Sequence, residues 1–237
     1  MHTEQRTTAI LIFANSSQKE HSHKSFAKHS PLFEVLNQQT VQKVKRSGLP
    51  YFHFTENEQM GNSFGERFVN AIQAVYDKGF KNVITIGNDS PQLKTAHLLK
   101  ANAQLAKGKT VLGPSTDGGF YLMGLHKDNF DTNLFQRLPW QRFSLFRRIS
   151  LLLKASRSEL FQLPVLHDID TREDIVVMLN YINSVSNKVL QIFRRIVQKL
   201  SASSARDVNL YAFLFTRLTL NKGSPNTLYF LITTKGL

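Results

Sequence analysis

A chain of 237 residues, 41% apolar and 20% charged, suits one globular domain of about 180–200 residues with an extension, and its apolar content excludes a disordered protein. The absence of cysteine excludes disulfides, thiolate metal sites and cysteine nucleophiles, in keeping with a cytoplasmic location. The net charge of +13 favours anionic partners, but residues 185–237 hold eight lysines and arginines against Asp207 alone, so the body is only mildly basic and no specific nucleic-acid partner is expected.

No basic segment followed by an apolar one marks a signal peptide at the start, and no apolar run approaches the roughly 18 residues of a membrane span. Thr8–Ala14 reads as a first buried strand. Asn15–Pro31 reads as a polar loop carrying Lys19, His21, His23, Lys24, Lys28 and His29, well placed to meet phosphates. His21 and His23, one residue apart in such a loop, read as solvated side chains before metal ligands. No glycine precedes Gly48, so a glycine-rich phosphate cradle is missing. Leu32, Val35, Leu36, Val41 and Val44 recur at helical spacing up to Ser47, and Gly48 stops that helix. Pro50–Phe54 gives a second strand. A glycine-punctuated loop, 59–67, then feeds a helix that ends near Tyr76 and buries Phe68, Ile72, Val75 and Tyr76. Arg67, in its first turn, either reaches a phosphate or pairs with Glu66 or another neighbour.

Val83, Ile84 and Ile86 form the short β-branched run of a strand buried on both faces. Gly87 and Asn88 end it and Pro91 prevents its continuation, which delivers Asp89 at the carboxyl end of a central strand, where open α/β sheets bind ligands. A carboxylate there is a candidate ligand for a hard divalent cation; the alternative is that Asp89 caps a helix starting near Leu93. A helix over about 95–107 and a strand at Thr110–Gly113 follow. Strands and helices thus alternate, which predicts a mostly parallel sheet with right-handed crossovers and helices on both faces.

Asp117-Gly118-Gly119 lets backbone approach a ligand, or simply turns the chain into the strand Phe120–Met123. The single tryptophan, Trp140, reads as core filling before a stacking platform. Arg142–Arg157 is patterned as a helix and Leu160–Leu166 as a late strand. In Asp168-Ile-Asp170-Thr171, one residue caps the next helix, and capping leaves one aspartate free to face the rim of Asp89. The segment 1–184 reads as the folded domain and 185–237 as a basic extension, with an amphipathic helix over about 186–201 and strand-like apolar runs at 209–215 and 228–232. The extension offers peripheral contact with an anionic membrane, or homo-oligomer formation.

Four stretches in order and at matching spacing carry a resemblance: Gly-Asn-Asp-Ser-Pro-Gln-Leu (87–93), Gly-Pro-Ser-Thr-Asp-Gly-Gly-Phe-Tyr-Leu-Met-Gly-Leu (113–125), Leu-Pro-Trp (138–140) and Asp-Ile-Asp-Thr-Arg-Glu-Asp-Ile (168–175). Over roughly 8–180 the sequence resembles the DUF2064 family of GT-A-type, glycosyltransferase-like proteins. The resemblance implies a three-layer α/β/α fold with a mostly parallel sheet, of the nucleotide-diphospho-sugar transferase kind. It implies a divalent cation (Mg or Mn) held by Asp89 with Asp168 or Asp170. Lys24, Arg67, Asn88, Gly118 and Gly119 are then candidates to bind nucleotide or substrate, and Asp117 is the candidate catalytic base. The sequence departs from the family at the front, where 15–26 replaces the usual glycine-containing loop and Lys24 remains as its basic residue.

Three functions are consistent with these residues. The first is metal-dependent transfer of a glycosyl group from a nucleotide-sugar to a small-molecule acceptor. The second is nucleotidyl transfer from a nucleoside triphosphate, which the altered front loop disfavours. The third is a catalytically silent binding or scaffold protein acting through its basic tail.

Overall fold

The structure is a computed structural model that describes residues 7–27, 30–155 and 158–202. Its first strand, β1 (Thr8–Phe13), is buried at every position. Successive residues of a strand point to opposite faces, so β1 splits its apolar side chains between two cores. Ala9, Leu11 and Phe13 enter one cluster, Ile10 and Ile12 the other. Helices are therefore required on both sides of the sheet, as the alternating pattern predicts.

On one face lie α2 (Leu32–Ser47) and α4 (Thr95–Leu105), which contribute Val44, Leu98, Ala101 and Leu105. On the other lie α3 (Phe64–Tyr76), α5 (Thr132–Gln136) and α6 (Leu145–Ala155), which contribute Phe68, Ile72, Val75, Phe135, Ile149 and Leu153. Full burial of each such side chain contributes about 1.5–3 kcal/mol. The remaining strands are β2 (Tyr51–Phe54), β3 (Asn82–Ile86), β4 (Thr110–Pro114), β5 (Phe120–His126) and β6 (Leu160–Gln162). The six-stranded sheet runs β2-β1-β3-β5-β4-β6. All pairings are parallel except those of β5, which runs antiparallel between β3 and β4.

That reversal positions the site. The carboxyl ends of β1 and β3 open onto one rim, and the antiparallel β5 starts from the same rim. The turn Ser115–Gly119, closed by Ser115 N–H to the Gly119 carbonyl at 3.1 Å, therefore stands beside the end of β3.

Several local expectations change. Asn15–Pro31 is not an open loop: Ser16 caps the short helix α1 (Ser17–His23), and a 3-10 turn follows at Ser25–Ala27. The Ser16 hydroxyl accepts from the Lys19 N–H, and Glu56 holds Ser16 through both its N–H (2.7 Å) and its hydroxyl (2.6 Å), so a distant carboxylate orders this segment. The helix expected from Arg142 begins at Leu145, and the late strand pairs only over Leu160–Gln162, with an isolated bridge from Ser115 to Leu166. The helix α7 (Arg172–Met178) is capped by Thr171 in a capping box with Asp174. A final helix, α8 (Asn187–Ala202), buries Val189 and Phe193 completely.

Contacts group Met1–Val197 as one unit and Gln198–Leu237 as a second, of which only the end of α8 is described. Lys28, His29, Arg157 and the apolar runs at 209–215 and 228–232 lie outside the described residues. Among the described residues no helix is long and apolar enough to cross a membrane.

Candidate active site

A cavity of about 760 Å³ opens on this rim. Lys24, Arg67, Asn88, Asp89, Asp117, Gly119, Asp168 and Asp170 all line it, while Gly118, in the middle of the Asp117–Gly119 turn, does not. Asp89 follows β3 after Gly87 and Asn88, and its carbonyl accepts the Ile169 N–H at 3.0 Å. One backbone hydrogen bond thus ties the loop after β3 to the segment before α7 and brings Asp89, Asp168 and Asp170 to one place. Asp89 does not cap a helix, because α4 begins only at Thr95 with Lys94 at its cap. The side-chain amide of Asn88 is buried and donates to Asn37, so it braces the loop from behind.

Lys24 is the centre of the cluster. Its Nζ donates to the Ile169 carbonyl at 2.8 Å and lies 2.8 Å from Asp170 Oδ1, 3.6 Å from Glu20 Oε2 and 3.7 Å from Asp89 Oδ2. Burial alone would depress the ammonium, but Asp89, Asp170 and Glu20 raise it above its ordinary value and keep it charged. Of the two cap candidates, Asp170 and Thr171, Thr171 is the cap, while Asp170 pairs with Lys24 and Asp168 faces the cavity. Ser90 donates its hydroxyl to Asp168, and Ser115 donates to Asp117 Oδ1 at 2.5 Å, which also accepts the Gly119 N–H at 2.9 Å.

Electrostatically the cluster is short of positive charge. Burial pushes the Asp89 carboxyl up; Lys24 opposes this, and the charges of Asp170 and Glu20 add to it. Asp168 is pushed well up, first by burial and then by Asp89, against the pull of the Ser90 and Ser115 hydroxyls. Two carboxylates that repel each other in a half-buried, oxygen-only setting fit a hard divalent cation. Among the described residues no three histidine, aspartate or glutamate side chains group closely enough to enclose an ion. Asp89 and Asp168 are the residues that would hold such a cation, and its remaining ligands would have to come from outside these side chains.

Part of the lining is an aromatic wall. Phe13, Phe64, Phe68, Phe120 and Trp140 line the cavity, with Trp140 4.8 Å from Phe68, 5.5 Å from Phe64 and 6.1 Å from Phe120 between ring centroids. Trp140 is both packed against the core and half open to the cavity, so the two readings of the lone tryptophan combine. Arg67 sits beside this wall, and no side-chain ion pair or hydrogen bond joins it to Glu66 or to any other described residue; the Glu66 carboxylate instead accepts the Asn62 N–H at 2.7 Å.

Sequence reasoning missed Glu20, Ser90, Ser115 and the aromatic wall. For Glu20 a signal exists: it precedes Lys24 by four residues, a helical i,i+4 pair in a segment that lacks the look of a helix. For Phe64 and Phe120 there is none, since aromatic residues beside glycine loops also fill cores.

The chain has the nucleotide-diphospho-sugar transferase fold. A solved structure from Desulfovibrio desulfuricans G20, described as a candidate nucleotide-diphospho-sugar transferase, superposes with a TM-score of 0.69 at 23% identity, over 81% of this chain and 97% of that one. Weaker likenesses include Rv0371c from Mycobacterium tuberculosis H37Rv (TM-score 0.46, 12% identity, 75% of this chain and 100% of that one). A cytidylyltransferase from Leptospira borgpetersenii serovar Hardjo-bovis gives a TM-score of 0.43 at 13% identity, over 83% of this chain and 94% of that one. No curated protein matches the sequence. Residues 32–142 match the family described as "Uncharacterized protein conserved in bacteria (DUF2064)", the family that the four sequence stretches resemble.

Proposed function

We propose that the protein is a divalent-cation-dependent transferase that moves a glycosyl group from a nucleotide-diphospho-sugar to a small-molecule acceptor. The observation that carries this reading is the convergence of Asp89, pushed up by burial and by Asp170 and Glu20, and Asp168, pushed up by burial and by Asp89, on a cavity with a transferase fold around it.

In this reading Asp89 and Asp168 hold the cation, Mg or Mn, which when bound supplies positive charge to the diphosphate leaving group. Lys24 stays charged and adds a fixed positive centre beside them. Asp170 and Glu20 orient Lys24 and do not bind substrate. Asp117, held by Ser115 and the Gly119 N–H, keeps Oδ2 for an acceptor hydroxyl and takes its proton. The Asp117–Gly119 turn brings backbone close to the ligand.

Nucleotidyl transfer from a triphosphate is the less favoured reading. A triphosphate brings more negative charge than a nucleotide-sugar to the carboxylates, and Lys24, the cation beside them, is already surrounded by three of them.

Calorimetric titration of nucleotide-sugars with Mn²⁺, in the wild-type chain and in Asp89→Asn, tests the proposal. Metal-dependent binding that disappears in Asp89→Asn is expected. Equal binding in both proteins rejects Asp89 as a cation ligand, and binding of triphosphates in preference to nucleotide-sugars favours the second reading.

A further inference from the structure

The cavity lining holds two chemically distinct groups. One is the carboxylate and Lys24 cluster; the other is a half-buried aromatic wall and an arginine without a partner among the described residues. We propose that the second group forms the acceptor subsite, and that the acceptor carries an anionic group, phosphate or carboxylate, attached to a planar or apolar body. This rests on the transferase reading of the same cavity.

The wall is rigid and its faces are available. Trp140 donates its Nε1–H to the Phe135 carbonyl at 2.8 Å, so the indole's one polar atom is satisfied inside the protein and the ring offers the cavity apolar surface. Glycines let the ring seat closely on α3 and let the backbone three residues further on approach the Asp117–Gly119 turn. A Cβ on Gly65 would stand 2.6 Å from Trp140 Cδ1, and a Cβ on Gly118 would stand 2.4 Å from the Phe143 carbonyl oxygen. Between these contacts, Gln141 adopts φ 58, the only positive φ of a non-glycine residue among the described residues. Such a conformation costs energy and persists where the surroundings impose it, often at ligand sites.

Arg67 gives the wall its charge preference. It lies one helical turn from Phe64 on α3, lines the cavity, and presents a planar fork suited to carboxylate or phosphate. Asp89, Asp168 and Asp170 have Lys24 or each other within reach, so Arg67 is not needed for their neutrality. Phe120 directly follows the Asp117–Gly119 turn, so a molecule resting on the wall lies beside the carboxylate assigned as base. That adjacency favours the acceptor over the nucleotide base as occupant.

Trp140 is the only tryptophan in the chain, so its emission reports directly on this subsite. The full-length protein would be titrated with phenyl phosphate, inorganic phosphate and phenol, without nucleotide or metal. Saturable change with phenyl phosphate is expected, with each half-molecule weaker by about tenfold or more. Arg67→Met should weaken phenyl phosphate by about tenfold and leave phenol unchanged; Arg67→Lys should lie between and guards against misfolding of the first variant. Phenyl phosphate that binds no tighter than inorganic phosphate, or equally well without Arg67, overturns the proposal. So does displacement of phenyl phosphate by a nucleoside diphosphate, which would assign the wall to the base. Because phenyl phosphate needs neither nucleotide nor Asp89, this test and the nucleotide-sugar titration fail independently.

Discussion

Lys24, just after α1, and Asp170, just before α7, are joined by a 2.8 Å ion pair that closes the rim of the sheet. The pair is neither simply buried nor simply exposed: the lysine side chain retains 14% of its accessible surface and the aspartate 48%. Its strength comes from company, because Glu20 and Asp89 share the same ammonium.

Replacing Lys24 by Met should therefore cost more than a surface pair and less than a fully buried one, about 1–3 kcal/mol, since it leaves three carboxylates uncompensated. Urea unfolding at neutral pH measures this. A loss below about 0.5 kcal/mol, the scale of an isolated exposed pair, contradicts the shared role.

Asp168→Asn should move stability and function in opposite directions. The substitution keeps the shape, retains an acceptor for the Ser90 hydroxyl and removes the repulsion with Asp89, so the ligand-free protein should gain about 1 kcal/mol. Metal-dependent nucleotide-sugar binding, followed by calorimetry, should fall at least about tenfold. A variant that is both less stable and fully able to bind is inconsistent with the assignment.

Lys43, on α2, gives a pH signature away from the site. Burial lowers its ammonium to about 8, and its Nζ has a single carbonyl partner, Pro91, at 3.1 Å. Below pH 8 both folded and unfolded chains carry the charge and folding bears its burial. Between about 8 and the usual lysine value the folded chain has released the proton and the unfolded chain has not, so unfolding takes up protons and stability rises with pH through this window. Lys43→Met should flatten that rise and add up to about 3 kcal/mol at pH 7. Chemical denaturation at several pH values from 7 to about 10.5 reads both effects.

Gly65→Ala should push the indole of Trp140 off its seat, because the added methyl would meet the Cδ1 edge at 2.6 Å. Overpacking of this kind costs about 1–3 kcal/mol. A shifted tryptophan emission maximum together with a lower melting temperature is expected; an unchanged spectrum would mean that the ring is not held by α3.

Residues whose role follows from chain direction were legible in the sequence. A β-branched run ended by Gly87 and Asn88 could only present Asp89 at a strand terminus, and the alternation of strands with helices demanded two helical layers. What escaped depends on contacts between distant segments. Asn15–Ala27 looks like a loop because its polar residues lack an apolar stripe, yet Glu56 holds its capping residue, Ser16, and Glu20 turns inward to Lys24. The place of β5 was hidden for a similar reason: a turn such as Asp117–Gly119 specifies a reversal, not which two strands the returning strand separates.

The sheet's outermost members are brief. β2 offers four residues at one margin and β6 three at the other. A neighbouring chain attempting to extend the ladder would find too few unpaired amides and carbonyls for a durable seam. Among the described residues the sheet thus gives a second copy little to add to, and the ligand-binding rim stays clear of strand-mediated stacking.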